Sequence, residues 1–154
     1  PVVFIVENNR YAMGTSVNRS SALTDFAKRG AAFNIPGEQV DGMDVRAVKA
    51  AAERALQHCR DGAGPYILEM QTYRYRGHSM SDPAKYRTRE EVEKVRHASD
   101  PIEQVRNRLL AAKVSEDELK KIDAEVREIV NESADFAQKD PEPDPSELWT
   151  DIYR

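Results

Sequence analysis

The segment from residue 39 to residue 70 constrains the fold most, because it alternates a strand, a helix and a strand. Gln39–Gly42 predicts a short strand that ends in a turn, and Val45–Arg60 predicts a helix that Asp44 caps. Tyr66–Met70 predicts a second strand that is largely buried. Strands separated by a helix are typical of a βαβ unit, in which the strands are parallel and the crossover is right-handed. We therefore predict an α/β fold with a parallel sheet and flanking helices.

The start of the chain gives a second signal for a parallel sheet. Val2–Val6 is a continuous apolar run rich in β-branched residues, which is typical of a strand buried on both faces. Such a strand needs neighbours that come before it in the chain. We therefore expect the sequence to be a fragment of a longer protein, with an upstream part that is missing.

Further helices are predicted on both sides of this unit. Ala22–Phe33 has apolar residues at helical spacing, and Pro36 breaks the pattern. Thr88–Glu91 and Ser115–Glu118 each place a Glu three residues after a hydroxyl, the pattern of a capping box. In such a box the hydroxyl and the Glu side chain bind backbone amides reciprocally. Pro101 suits the first turn of another helix.

After residue 86 the sequence predicts helices and no further strands. We predict that residues 1–86 belong to the α/β domain and that residues 87–154 form a helical C-terminal region. Within this region, Asp140–Pro145 alternates proline with acidic residues, which predicts a stiff extended connector. An apolar cluster follows, and we expect it to dock onto the domain or onto a partner: Leu148, Trp149, Ile152 and Tyr153.

Composition argues against several classes of function. The net charge of −4 at pH 7 disfavours general nucleic-acid binding. Cys59 is the single cysteine, so the chain has neither an internal disulfide nor a cysteine metal cluster, and we expect Cys59 to lie in the core. No apolar run is long enough to cross a membrane. We therefore expect neither a nucleic acid nor a membrane as a partner.

Two polar loops follow predicted strands, and they carry the candidate functional residues. The first loop is Glu7–Ser16, and the second loop is Tyr73–Tyr86, which holds His78 among arginines and serines. Because the carboxyl ends of parallel strands meet at one edge of a sheet, both loops should project from the edge where open α/β sheets bind ligands. From composition alone, the first loop is also compatible with a simple turn, and His78 with a surface position.

The loops resemble those of a known family. The sequences ENNRYAMGTS at 7–16 and YRYRGHSMSD at 73–82, with VDGMD at 40–44 between them, are similar to alpha subunits of thiamin diphosphate-dependent 2-oxo acid dehydrogenases, especially those that act on pyruvate. The resemblance covers essentially the whole chain and implies the C-terminal part of such a subunit, with a partial thiamin diphosphate-binding fold. It also implies a Gly-Asp-Gly motif upstream of Pro1.

The resemblance implies roles for individual residues. The side-chain oxygen of Asn9 and the backbone carbonyl of Tyr11 would ligate Mg²⁺, a cation that prefers hard oxygen ligands. These two residues and His78 would bind thiamin diphosphate, and His78 would also be catalytic at the entrance to the active site. Ser79 and Ser16 match positions that are phosphorylated in regulated members of the family.

The implied reaction is decarboxylation of pyruvate with transfer of the acetyl unit to a lipoyl group. Its implied partners are a beta subunit, which would complete a heterotetramer, and the lipoyl acyltransferase component. The expected location is the bacterial cytoplasm or the mitochondrial matrix. Two alternatives stay open: the alpha subunit of a branched-chain 2-oxo acid dehydrogenase, and an inactive truncated module that lacks the upstream cofactor motif. We expect the isolated fragment to be inactive.

Overall fold

A computed structural model describes residues 1–152 of the chain. Its strands are β1 Val3–Asn8, β2 Tyr11–Ala12, β3 Thr15–Ser16, β4 Gly37–Asp41 and β5 Tyr66–Gln71. Its α-helices are α1 Val17–Ser20, α2 Val45–Arg60, α3 Arg89–Ser99, α4 Pro101–Ala111 and α5 Glu116–Lys139. Short 3-10 helices lie at Phe26–Phe33 and Pro145–Trp149.

The main sheet has the order β1-β5-β4, and both pairings are parallel. β4 and β5 are neighbours joined through α2, which confirms the predicted βαβ unit. The register pairs Gln71, the last residue of β5, with Asn8 on one side and Asp41 on the other. The carboxyl ends of all three strands therefore meet at one edge, and the predicted α/β fold with a parallel sheet is confirmed.

The core lies between this sheet and α2. It contains side chains from β4, α2 and β5: Val40, Ala51, Ala55, Leu68 and Met70. Cys59, in the last turn of α2, is buried and free, as predicted for a core residue. The helix itself matches its predicted bounds, and the side chain of Asp44 accepts a 2.9 Å hydrogen bond from Arg46 N as its cap.

The burial expected for the first strand requires upstream neighbours, and in this chain the strand is largely exposed. In β1, Phe4 is 48% exposed and Ile5 is 65% exposed. The reason is the position of the strand: β1 lies at the edge of the sheet and pairs only with β5. Its apolar side chains identify it correctly as a strand, but sequence pattern alone does not show which neighbours cover it.

The helix predicted over Ala22–Phe33 is wrong in its start and in its type. Residues 22–25 are not helical, and a 3-10 helix begins at Phe26. The backbone amides of Phe26 and Ala27 donate hydrogen bonds to the Glu69 carboxylate on β5, which fixes the first turn at this point. The helix lies on the side of β5 opposite to α2, so a long-range contact rather than local propensity sets its start.

The two predicted capping boxes have different outcomes. At Ser115 the box is complete, because Ser115 Oγ accepts from Glu118 N and the Glu118 carboxylate accepts from Ser115 N. At Thr88, Oγ1 accepts from Glu91 N at 3.1 Å. The Glu91 side chain instead accepts a 2.8 Å hydrogen bond from the Tyr73 hydroxyl, so the predicted reciprocity is wrong there.

The chain divides into two compact units, Pro1–Asn107 and a second unit that starts at Arg108. The predicted division into an α/β domain at residues 1–86 and a helical region at residues 87–154 stays a prediction. No helix in the described part of the chain has both the length and the apolar character needed to cross a membrane.

The end of the second unit agrees only in part with the sequence pattern. The backbone is extended at Asp140 and at Asp144, but Pro145, predicted as part of the connector, begins a 3-10 helix. Leu148, Trp149 and Ile152 are exposed. Tyr153 lies outside the described residues, and the docking of this cluster stays a prediction.

Candidate functional site

The first and second loops leave the same edge of the main sheet, as predicted from the parallel strands. The first loop follows β1 and folds into a small antiparallel hairpin of β2 and β3. Arg10 and Met13 within it have left-handed backbones, with φ of 71° and 52°. The second loop follows β5 and runs to the start of α3. The sheet therefore brings two segments together that are more than sixty residues apart.

A narrow cleft lies between the two loops. Its lining includes the three residues that the resemblance identified, together with side chains around them: Asn9, Tyr11, Met13, Arg74, His78, Tyr86 and Arg87. Asn9, Tyr11 and His78 are thus brought together. Ser16 lies outside this cleft and lines a wider neighbouring one with Asn8 and Arg10.

Asparagine side chains shape the first loop from within. Asn8 Oδ1 accepts a 3.0 Å hydrogen bond from Arg10 N, and Asn9 Oδ1 accepts a longer one of 3.4 Å from Tyr11 N. Such local bonds are typical of asparagine in turns and support the left-handed backbone of Arg10. The long contact is a weak hydrogen bond, so Asn9 Oδ1 can bind a stronger donor or a cation in its place.

His78 is exposed and contacts Arg74. Arg74 Nη1 lies 3.3 Å from His78 Nδ1 and donates a 3.1 Å hydrogen bond to the His78 carbonyl. A guanidinium can only donate, so the ring contact is a hydrogen bond when Nδ1 carries no proton. The neutral ring then holds its proton on Nε2. Arg74 therefore orients the imidazole through contacts to its ring and to its backbone carbonyl.

Asp82 closes the second loop, a role that sequence analysis missed. Its carboxylate accepts from His78 N at 2.7 Å, from Ala84 N at 2.8 Å and from the Tyr86 hydroxyl at 3.0 Å. Hydrogen bonds from the His78 and Ala84 amides hold the pKa of Asp82 below its usual value. Burial and the contact with Asp82 raise the pKa of Tyr86, which keeps its hydroxyl a donor.

Arg87 links the two loops, a role that the sequence did not reveal. Its guanidinium donates to the backbone carbonyls of Arg74 and Arg76 in the second loop. It also lies over three aromatic rings, 5.7 Å from Tyr11, 5.1 Å from Tyr73 and 5.2 Å from Tyr86. A planar cation that donates in its plane and stacks on ring faces suits this position, and the tyrosines around it were the available signal.

The residues of the cleft that could hold a cofactor or a metal ion are two oxygen-bearing residues and two arginines. Asn9 and Tyr11 offer neutral oxygens, and Arg74 and Arg87 add positive charge beside them. Among residues 1–152, no group of three or more His, Cys, Asp or Glu side chains is placed to hold a metal ion. Mg²⁺ usually takes few protein ligands and completes its shell with phosphate oxygens and water. Asn9 and Tyr11 could thus supply oxygen ligands to Mg²⁺, and Arg74 and Arg87 could pair with an anionic group.

Ser79 is the more accessible of the two candidate modification sites. It is exposed beside His78, and its hydroxyl lies 3.0 Å from that of Ser81. Ser16 is half-buried at the end of β3, where its backbone precedes α1 and its carbonyl accepts from Ser20 Oγ.

Comparison with known proteins gives a consistent result. A family model described as dehydrogenase E1 component matches residues 1–146. The pyruvate dehydrogenase E1 component subunit alpha of Rhizobium meliloti (strain 1021) is 72% identical over 153 residues, which cover 99% of this chain and 44% of that protein. The subunit of the same name from Zymomonas mobilis is 54% identical over 152 residues, 99% of this chain and 43% of that protein.

A mitochondrial protein has the same identity to this chain as the Zymomonas mobilis subunit. The testis-specific mitochondrial form of pyruvate dehydrogenase E1 component subunit alpha from Rattus norvegicus is 54% identical over 155 residues, 99% of this chain and 39% of that protein. This chain therefore spans less than half the length of each relative named here.

Proposed function

The chain belongs to the dehydrogenase E1 component family, and from that membership we propose that it is part of the alpha subunit of a thiamin diphosphate-dependent pyruvate dehydrogenase. The complete enzyme would decarboxylate pyruvate and transfer the acetyl unit to a lipoyl group. The relatives named above are all pyruvate dehydrogenase alpha subunits, which supports pyruvate over a branched-chain 2-oxo acid as the substrate.

One observation carries the proposal: Asn9, Tyr11 and His78 come from two separate loops and line one cleft. Bound thiamin diphosphate would supply the carbanion chemistry of the decarboxylation. The chain's own residues would bind and orient it. The Asn9 side-chain oxygen and the Tyr11 carbonyl would hold Mg²⁺, and the cations around the cleft would offset the charge of the diphosphate.

His78 would act at the entrance to this site. When Nδ1 accepts from Arg74, the ring is neutral and carries its proton on Nε2. Nε2 can then donate a hydrogen bond to an anionic group or pass its proton to a bound molecule. Asp82 supports this by fixing the backbone from which the imidazole extends.

Two protein partners complete the proposed enzyme. A beta subunit would supply the rest of the active site within a heterotetramer, and the lipoyl acyltransferase component would accept the acetyl unit. Because the relatives include bacterial and mitochondrial proteins, we place the enzyme in the bacterial cytoplasm or the mitochondrial matrix.

Regulation by phosphorylation is part of the same proposal. Ser79 is exposed directly beside His78, and a phosphate there would add roughly −1.5 to −2 charges next to a cationic cleft. Ser16 is a second candidate, and its position in the neighbouring cleft puts it close to Arg10.

A substrate comparison tests the proposed function. The complete alpha subunit that contains this sequence is assembled with its beta subunit, and CO₂ release is measured with thiamin diphosphate, Mg²⁺ and a lipoyl acceptor. We expect kcat/KM to be higher for pyruvate than for a branched-chain 2-oxo acid. The reverse preference would contradict the proposed substrate, and no cofactor-dependent release with either acid would contradict the proposed activity.

A further inference from the structure

Glu69 is a charged residue in an unexpected place. It lies in the middle of β5, the central strand of the main sheet, and its side chain is fully buried at 0% exposure. A buried carboxylate is strongly unfavourable unless hydrogen bonds replace the water that it loses. Neighbouring Leu68 and Met70 belong to the apolar core. A role for Glu69 must therefore be sought in its partners.

The partners of Glu69 are four donors from four separate residues. Oε1 accepts a 2.7 Å hydrogen bond from Asn8 Nδ2. Oε2 accepts from Phe26 N at 2.7 Å, from Ala27 N at 3.1 Å and from Gln39 Nε2 at 3.1 Å. This set of donors matches a carboxylate, whose two oxygens only accept. Oε2 thus accepts from the 3-10 helix and β4, and Oε1 accepts from Asn8.

The bond to Asn8 determines how the Asn8 amide is oriented. Because the carboxylate accepts, the NH₂ group of Asn8 must face it, and Oδ1 must point the other way. Oδ1 accepts from Arg10 N at 3.0 Å. Arg10 has a left-handed φ of 71°, which is unfavourable for a residue with a side chain and needs such support. A reversed Asn8 amide would present a donor to a donor at Arg10.

The turn at Arg10 lies between the two residues proposed to hold Mg²⁺. Asn9 precedes it and Tyr11 follows it, and both line the narrow cleft. We propose that Glu69 is a positioning residue for this site: its buried carboxylate orients Asn8, and Asn8 holds the turn that presents Asn9 and Tyr11. The identity of the ligand in this inference rests on the proposed function. The effect of Glu69 on the turn is independent of that function.

The central test is Glu69→Gln in the complete alpha subunit, assembled with its beta subunit. Glutamine replaces one accepting oxygen with a donating NH₂ group, so one of the present donors loses its acceptor. We expect the dissociation constant of thiamin diphosphate, measured by calorimetry with Mg²⁺, to rise about 10- to 100-fold, as for other residues that orient a metal ligand. We also expect faster hydrogen exchange in peptides covering residues 8–12 without cofactor.

Leu68→Ala is the matched control. It removes apolar contacts from the same strand and destabilises the fold, but it leaves the hydrogen bonds of Glu69 in place. We expect a lower thermal midpoint with unchanged cofactor affinity and unchanged exchange in residues 8–12. If Leu68→Ala weakens cofactor binding as much as Glu69→Gln does, the effect is one of general stability and the positioning role is wrong.

A double variant gives a more specific readout. Adding Asn8→Asp to Glu69→Gln reverses the polarity of the pair: the glutamine NH₂ can donate to the introduced carboxylate, which can also accept from Arg10 N. We expect protection of residues 8–12 to recover towards wild type. A double variant that is no better protected than Glu69→Gln would overturn the proposed relay through Asn8.

Two further outcomes remain decisive. If Glu69→Gln does not fold, Asn8→Ala tests the same link while leaving three donors on Glu69, and wild-type protection together with wild-type affinity in that variant would overturn the inference. If the wild-type enzyme itself binds no thiamin diphosphate, the proposed function fails, and exchange in residues 8–12 still decides whether Glu69 holds the turn.

Discussion

The backbone amide of His78 donates a 2.7 Å hydrogen bond to Oδ2 of Asp82, four residues later in the second loop. This contact turns the chain back and fixes the point from which the imidazole leaves the backbone. Oδ1 of Asp82 accepts in addition from Ala84 N, where the backbone is left-handed with a φ of 50°. One carboxylate therefore holds the turn from His78 to Ala84 in the second loop.

Asp82→Ala should open the second loop without unfolding the protein. The amides of His78 and Ala84 lose their acceptor, and each should exchange with solvent several-fold faster, because an amide exchanges only when its hydrogen bond is open. The thermal midpoint should change little, since a loop supports few core contacts. Hydrogen exchange of the assembled enzyme measures this, with Ser81→Ala as the control in the same loop. Unchanged protection in Asp82→Ala would show that Asp82 does not hold the loop.

The loop should respond to acid only at low pH. The folded-state pKa of Asp82 is lowered, first by the His78 amide and then by the Ala84 amide. The stabilisation is therefore present above the unfolded value of 3.8 and is lost as the pH falls through the lower folded value. Protection factors at His78 and Ala84 should be constant from pH 8 to about pH 5 and fall below that range. Loss of protection between pH 7 and pH 5 would identify a different group, such as a histidine.

Arg87→Lys should resemble Arg87→Ala rather than the wild type. An ammonium keeps the charge, but it cannot bind the Arg74 and Arg76 carbonyls while stacking on the tyrosine rings as a planar guanidinium does. Both variants should weaken the ordered state of the second loop by about 1–3 kcal/mol. Exchange of residues 73–86 measures this, and Arg89→Ala, exposed at the start of α3, is the control. Wild-type protection in Arg87→Lys would mean that charge alone suffices.

The arrangement of the loops is predictable from sequence because it follows from strand direction. Once β1 and β5 are parallel, Asn9 and His78 must lie at the same edge, although the chain separates them by more than sixty residues. The family resemblance then identifies which loop residues matter. The pattern of the strands and the chemistry of the loops agree, so this part of the site could be predicted from the sequence.

Contacts between segments that are distant in the sequence could not be predicted. The start of the 3-10 helix at Phe26 depends on Glu69. The predicted capping box at Thr88 is incomplete because the Glu91 carboxylate accepts from the Tyr73 hydroxyl instead of from the Thr88 amide. In both cases a tertiary partner outcompetes a local one. The available signal for Glu69 was its charge within an otherwise apolar strand, which requires buried partners without showing which they are.

A negative charge at Ser79 should inhibit the proposed enzyme. The charge would lie beside His78 and attract Arg74 away from the imidazole, so the ring would lose its orienting contact. We expect Ser79→Glu to lower kcat/KM for pyruvate at least about tenfold, equal to about 1.4 kcal/mol in activation free energy. Ser79→Gln has nearly the same size without the charge and should be mild, as should Ser79→Ala. Equal losses in the Glu and Gln variants would indicate a steric effect instead.

Cofactor binding by Asn9→Ala tests the proposed magnesium site most directly. Loss of a neutral metal ligand should weaken binding by about 1–3 kcal/mol, or roughly 5- to 150-fold in the dissociation constant. Asn131→Ala, exposed on α5, is the control, and both variants should keep the thermal midpoint of the cofactor-free enzyme. The measurement is calorimetric titration of the assembled enzyme with thiamin diphosphate and Mg²⁺. We expect weaker binding for Asn9→Ala alone, and equal dissociation constants in wild type, Asn9→Ala and Asn131→Ala would contradict the proposed magnesium site.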